Sequence, residues 1–301
     1  MTGSAATPDR FADLNGLRIC YRQDGSPKAP AVFLIAGLGM QLIEWPQELV
    51  DGLAKNFRVI RLDNRDSGLS ARCGGPFSEI PPGFEWSGSA KGLAAYGRID
   101  MADDVLALAD HLEIPQFTCI GFSMGGMIVQ LLATRAPERM TRFASLSSTG
   151  GDATVTANDA SLRLIERFFL LFPSEADAIE AIRESNCHFS VGLMPLHGPE
   201  NHQFAKALSD RAADDGGYLR DTFAITTSPP WRDKLAGKEI PALFMHGGSD
   251  LSIDVASAQS LANDMPRATL RINPGFGHWI DGETCRQALD WLQNSAPREM
   301  H

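Results

Sequence analysis

Short apolar runs of strand length recur along this 301-residue chain, each followed by a stretch with helical spacing, and that rhythm narrows the folds open to it. "AVFLIAG" and "FRVIRLDNR" read as strands, and "IEWPQELVDGLAKN" between them carries helical periodicity. "MADDVLALADHLEI" (helix), "QFTCIG" (strand), "MGGMIVQLLATRAPE" (helix, ended by Pro137) and "MTRFASLSS" (strand) continue the pattern. It resumes late in the chain as "PALFMHGGSD", "DVASAQSLANDM", "ATLRINPG" and "GETCRQALDWLQNS". Strand, helix, strand in repetition predicts an α/β protein with a mostly parallel, doubly wound sheet. Before it, "RFADLNGLRICYRQDG" holds two alternating segments about Asn15-Gly16, a pair that tolerates positive φ and predicts an antiparallel hairpin.

Two stretches break the rhythm. Residues 67–97, rich in Gly, Pro and Ser, read as a long loop over one edge. Between about residues 150 and 237 the strands stop, while "DASLRLIERFFLLF", "EADAIEAIRESNCHF" and "ENHQFAKALSDRAA" read as successive amphipathic helices. We expect a core domain of residues 1–149 and 238–301 and an inserted helical cap, or lid, over 150–237.

Composition excludes several classes. The apolar runs are too short to span a bilayer, and "MTGSAATPDR" lacks the basic and apolar regions of a secretory signal, so a cytoplasmic protein is expected. With 27 Lys and Arg against 37 Asp and Glu, the net charge of −10 repels phosphate backbones, so nucleic acid is not an expected partner. Cys20, Cys73, Cys119, Cys187 and Cys285 are odd in number, scattered and without a C-x-x-C pair, and free thiols are expected. Nothing in the pattern speaks to oligomeric state.

In α/β sheets ligands gather at the carboxyl ends of strands. Three chemically suited residues follow strands: Ser123 after "FTCIG", Asp250 after "ALFMHGGS" and His278 after "ATLRINPGFG". Gly121, Ser123 and Gly125 spell G-x-S-x-G between strand and helix, the pattern of a nucleophile elbow. A serine hydroxyl needs a base to take its proton, and an imidazole base needs a carboxylate to fix its tautomer. His278 and Asp250 suit those roles, with Asp254 and Asp152 as alternative acids. His246 reads as a packed histidine, and the spacing of His188, His197 and His202 suits no common zinc motif, so no metal is expected. Asp63, Asn64, Arg65 and Asp66 read as a charged turn bracing loops near the site. Phe168, Phe169, Leu171 and Phe172 read as helix core; Trp45 and Trp279 are placed either to line a pocket or to pack.

The order nucleophile, acid, base resembles that of the α/β-hydrolase family, a resemblance running from about residue 13 to 294. "AGLGMQLIEWP", "VIRLDNRDSGLS" and "GFSMGGMIVQLLA" are similar to the esterase subgroup that contains the aclacinomycin methylesterases. Ala36 stands where many members carry His before the oxyanion glycine. The resemblance implies the α/β-hydrolase fold, with an oxyanion hole formed by the backbone N–H groups of Leu38 and Met124. It further implies cofactor-free cleavage of a carboxylic ester of a moderately hydrophobic small molecule through an acyl-enzyme. Carbon–carbon bond hydrolysis, perhydrolysis and a non-catalytic ligand-binding protein are the alternatives; a serine at the elbow excludes dehalogenases and epoxide hydrolases, which need a carboxylate there.

Overall fold

Asn15 and Gly16, both at positive φ (51° and 82°), turn the chain between β1 (Arg10–Leu14) and β2 (Leu17–Asp24), which pair antiparallel from Leu14 and Leu17 outward. The expected hairpin therefore forms. The computed structural model describes residues 7–86, 93–151, 157–212 and 216–294. The remaining strands are β3 (Ala31–Ile35), β4 (Arg58–Leu62), β5 (Phe117–Phe122), β6 (Met140–Leu146), β7 (Ala242–Gly247) and β8 (Ala268–Asn273). They make one eight-stranded sheet in the order β1-β2-β4-β3-β5-β6-β7-β8. β2 meets β4 antiparallel, and every pairing from β4 to β8 is parallel.

The central strands are apolar throughout because both faces are covered, and their residues alternate between two cores. Val32, Leu34, Ile120 and Phe122 face α1 (Gln47–Ala54) and α10 (Gly282–Asn294). Phe33, Ile35, Phe117 and Cys119 face the other way, toward α2 (Arg98–His111), α3 (Met124–Arg135) and α9 (Ala256–Asp264). All five cysteines are free thiols: Cys20, Cys119 and Cys285 are buried, Cys73 and Cys187 half-buried.

Between β6 and β7 the described residues hold helices and no strand: α4 (Asp159–Glu166), α5 (Glu175–Phe189), α6 (Pro199–Arg211), α7 (Gly217–Thr227) and the short α8 (Arg232–Leu235). The structure differs from the sequence reading in two places here. The first helix stops at Glu166 instead of running to Phe172. Five consecutive apolar residues, 168–172, cannot share one helix face, and Pro173 disfavours helical backbone at the residue before it. Phe169 turns into a buried cluster with Leu219 and Phe223, while Leu171 is 52% exposed, so the run is not a helix core. The second difference is α7, which the sequence pattern did not single out. Ala224 near its end, with Trp231 and Leu235, joins the core that covers α3. The described parts of 67–97 contain no strand and no helix, as expected, but Phe77, Phe84 and Trp86 anchor that loop on the Phe169 cluster.

Candidate active site

Ser123 stands between β5 and α3 at φ 54° and ψ −118°, a backbone conformation that costs free energy for any side chain. Its neighbours hold it there. The Ser123 N–H donates to the Leu146 carbonyl at 2.9 Å, and its own carbonyl accepts from Ser148 Oγ at 2.8 Å. Gly121 and Gly125 are needed for close approach rather than for torsion: a Cβ on Gly121 would strike the Gly125 carbonyl, and one on Gly125 would strike the Ile35 carbonyl. Strand and helix thus close tightly around the serine and leave its hydroxyl facing a cavity.

His278 reaches that hydroxyl, with Nε2 2.9 Å from Ser123 Oγ, and its Nδ1 lies 2.7 Å from Asp250 Oδ2. All three sequence-singled residues are therefore brought together. Asp250, whose side chain is 1% exposed, has its other oxygen filled by the N–H groups of Ser252 (2.8 Å) and Ile253 (2.9 Å). Burial alone would raise its pKa; the charge of His278 and hydrogen bonds from His246 and His278 outweigh that and hold it well below the usual carboxylate range. Asp254, an alternative acid, accepts the Ala256 N–H at 2.9 Å at the start of α9. Asp152 lies outside the described residues.

His246 is packed, as read from the sequence, yet it is also part of this network. Its Nε2 lies 2.9 Å from the Ile253 carbonyl and 3.2 Å from Asp250 Oδ2, while its buried Nδ1 has no partner. The carbonyl requires the proton on Nε2, so this imidazole faces Asp250 as a donor. Its position four residues before the acid, within the strand, was the signal available in the sequence.

Gly37 and Leu38 follow β3 and lie against the elbow: a Cβ on Gly37 would stand 3.2 Å from Ser123 Cβ. Met124, the first residue of α3, directly follows the serine, and Leu38 lines the same cavity. The turn is fastened from beneath. Asn64 Nδ2 donates to the Ala36 carbonyl at 3.0 Å, and Asp63 accepts the Leu42 and Leu69 N–H groups at 2.7 and 2.9 Å. Asp63 also pairs with Arg211 at 2.8 Å, Arg65 with Asp104 at 2.7 Å and Asp66 with Arg220 at 2.8 Å, so the charged turn does brace the loops and ties them to α2, α6 and α7. Asp221 of α7 receives Tyr96 Oη at 2.7 Å, Ser67 Oγ at 3.1 Å and the Gly39 N–H. Burial, opposed by those hydrogen bonds, raises its pKa to about 7.

The cavity above Ser123 holds about 1110 Å³, larger than most small-molecule sites, and most of its wall is apolar. Phe168, Leu171 and Phe172 from the turn after α4 line it, with Phe168 stacked on Tyr218 at 5.1 Å. Trp45 and Trp279 both border it; Trp45 is also fully packed in the core, and Trp279 meets Phe204 of α6 at 6.4 Å. Phe189 of α5 lies 6.1 Å from the His278 ring. Several charged residues in the wall were not singled out by sequence pattern, and two of them carry marked pKa shifts. Glu44 accepts the Gln41 N–H at 2.7 Å and is raised to about 7, by burial first and by Asp63. The other is Arg98, at the start of α2. Each sits inside an otherwise ordinary helical segment, with no motif to mark it. Among the described residues no cluster of three or more His, Cys, Asp or Glu could hold a metal ion, and no helix is long and apolar enough to cross a membrane.

A doubly wound sheet with a strained serine between strand and helix, and a histidine and an acid after later strands, defines the α/β-hydrolase class. Residues 30–281 match the family model for the alpha/beta hydrolase fold, and the chain belongs to that family. It is 27% identical over 253 residues to 3-oxoadipate enol-lactonase 2 of Acinetobacter baylyi, a match covering 84% of this chain and 83% of that protein. It is 37% identical over 117 residues to rhodomycin D methylesterase of Streptomyces peucetius, covering 38% of this chain and 34% of the other, in keeping with the esterase-subgroup resemblance. The enol-lactonase from Burkholderia xenovorans superposes with a TM-score of 0.74 at 24% identity, over 95% of this chain and 100% of that one, a likeness of fold.

Proposed function

We propose that this protein hydrolyses a carboxylic ester of a moderately hydrophobic small molecule through an acyl-enzyme, with Ser123, His278 and Asp250 as the catalytic residues. The observation that carries the reading is the continuous contact from Ser123 Oγ through His278 to Asp250, 2.9 and 2.7 Å, at the floor of a large apolar cavity. His278 Nε2 takes the Ser123 proton as Oγ adds to the ester carbonyl. The Leu38 and Met124 N–H groups donate to the developing oxyanion. Collapse expels the alcohol, which leaves with the proton from His278. Water, deprotonated by the same imidazole, then attacks the acyl carbonyl, and the acid departs as Oγ recovers its proton. Nucleophile, base and donors suffice for acyl transfer, so the scheme calls for no cofactor. The esterase and lactonase names among the relatives support the same class of reaction.

We further propose that residues 150–237 act as a lid over a core of residues 1–149 and 238–301, because their aromatic side chains wall the cavity and close against His278.

The test is direct. Ser123→Ala should lower turnover of any accepted ester by several orders of magnitude while leaving the far-ultraviolet dichroism unchanged. A fluorophosphonate probe should label Ser123, read by mass spectrometry of the digested protein. A label on another residue, or near-normal turnover by the Ala variant, would reject the assignment.

A further inference from the structure

Arg98 is buried to 3% exposure in the wall of the cavity, and its charge has no counter-ion among the described residues. Nη1 lies 3.0 Å from Met127 Sδ, Nη2 donates to the Ser228 carbonyl at 3.2 Å, and the guanidinium sits over the Trp231 ring at 4.4 Å. Nε has no partner at all. A thioether and one carbonyl are weak company for a group with five donors and a permanent charge. Four other sheltered arginines have an acid beside them: Arg61 pairs with Asp24, Arg65 with Asp104, Arg211 with Asp63 and Arg220 with Asp66. Burial, with no acid among the described residues to offset it, pushes the Arg98 pKa down, a mark of how poorly the charge is compensated. Breaking up a buried pair, or never completing one, is costly, so an uncompensated guanidinium at a cavity wall points to a partner that arrives from the cavity.

We propose that Arg98 binds a carboxylate carried by the substrate, so that the preferred substrates are acid-bearing esters such as half-esters of dicarboxylic acids. The proposal rests on the ester-hydrolase reading above for its chemistry, though not for its binding step. Met127, which the guanidinium touches, lies one helical turn beyond Ser123 on α3, on the order of 6 Å along the helix axis. A substrate whose ester carbonyl sits at Ser123 can therefore place an acid group several carbon atoms away at Arg98. The planar fork can donate to both oxygens of a carboxylate, and the Trp231 ring 4.4 Å from the guanidinium limits how far the fork can turn. The rest of the wall would hold the aliphatic spacer.

The experiment compares matched pairs: monomethyl glutarate, adipate and pimelate against methyl valerate, hexanoate and heptanoate, and 4-acetoxybutyrate against butyl acetate for an acid on the alcohol side. Wild-type protein is expected to favour the acid-bearing member of at least one pair in kcat/KM by roughly 10- to 100-fold, the worth of one charge-assisted contact. Arg98→Met should collapse that ratio through KM, with Arg98→Lys intermediate because the charge stays and the fork is lost. Equal losses on both members would make Arg98 a packing residue and overturn the proposal. So would a wild-type preference for the neutral esters, which decides the matter even if Arg98→Met does not fold. Binding separates this inference from the reaction assignment: Ser123→Ala protein titrated calorimetrically with monomethyl adipate should bind it, and the Ser123→Ala, Arg98→Met double variant should bind it at least tenfold more weakly. If that dependence holds while no ester is turned over, the anion site stands and the hydrolase reading falls; if neutral esters are turned over with no such dependence, the reverse is true.

Discussion

The Asp250 carboxylate has both oxygens engaged, one by two backbone N–H groups and the other by His278 and His246. Held so, it keeps its charge through the working pH range and can favour only the His278 tautomer that leaves Nε2 free to accept the serine proton. Asp250→Asn should therefore lose on the order of 10⁴ in kcat, the scale known for the matching change in a serine protease. Asp254→Asn should cost far less in kcat, since that carboxylate accepts the Ala256 N–H at the start of α9. Measuring kcat for both variants on one ester checks the pair; near-normal turnover by Asp250→Asn would sink the assignment. The depressed pKa also fixes a sign for stability. Asp250 stabilises the fold above the ordinary carboxylate range, and that contribution disappears as pH falls through its lowered pKa.

Among the elements, α7 links several distant parts. Tyr218 covers Gly39, which has φ 65°, Arg220 pairs with Asp66, and Asp221 collects donors from Tyr96, Ser67 and Gly39. The turn that carries the Leu38 N–H is thus shaped by a helix nearly two hundred residues away in the chain. Because the folded pKa of Asp221 is raised to about 7, the folded state holds a proton that the unfolded chain releases near pH 4. Its contribution to stability is full below about pH 4 and is lost as pH rises through about 7. Asp221→Asn removes the titration, so urea unfolding between pH 5 and 8 should show a flatter dependence in the variant than in wild type, by on the order of 1 kcal/mol per pH unit at most. Parallel wild-type and variant profiles would show that Asp221 stays ionised.

At the scale of the whole molecule the cavity is a joint product of the sheet edge and the segment between β6 and β7. The sheet side supplies Ser123, His278 and the Leu38 turn, while the inserted helices supply Phe168, Leu171, Phe172, Phe189 and Phe204. Chemistry and selectivity are thereby separable. Phe168→Ala and Phe172→Ala should shift relative kcat/KM along a series of alkyl esters by about tenfold, the worth of one or two methylenes, and leave the rate on the shortest ester close to wild type. A p-nitrophenyl ester series from acetate to decanoate reads this out; an unchanged profile in both variants would reduce the inserted segment to a structural cover.

Much of this was legible in the chain itself because the signals are local. Period-two and period-3.6 patterns, Asn15-Gly16 and the glycines around Ser123 act over a few residues, so the hairpin, the parallel sheet, the elbow and the candidates after β5, β7 and β8 follow from neighbours in sequence. The Asp63–Asp66 turn could likewise be recognised as a brace, although not which helices it would hold. The five positions from Phe168 could not be apportioned: apolar character alone does not say whether a ring meets Phe223 in a core or a substrate in a cavity. The same holds for α7, whose few periodic residues look like loop until Asp66 and Gly39 meet them. Arg98 and Glu44 look like solvated surface charges in sequence, and only packing encloses them at the cavity wall. Local pattern determines which elements form and which residues stand at strand ends; burial, counter-charge and cavity shape depend on contacts far apart in the chain, and those were decided by tertiary structure alone.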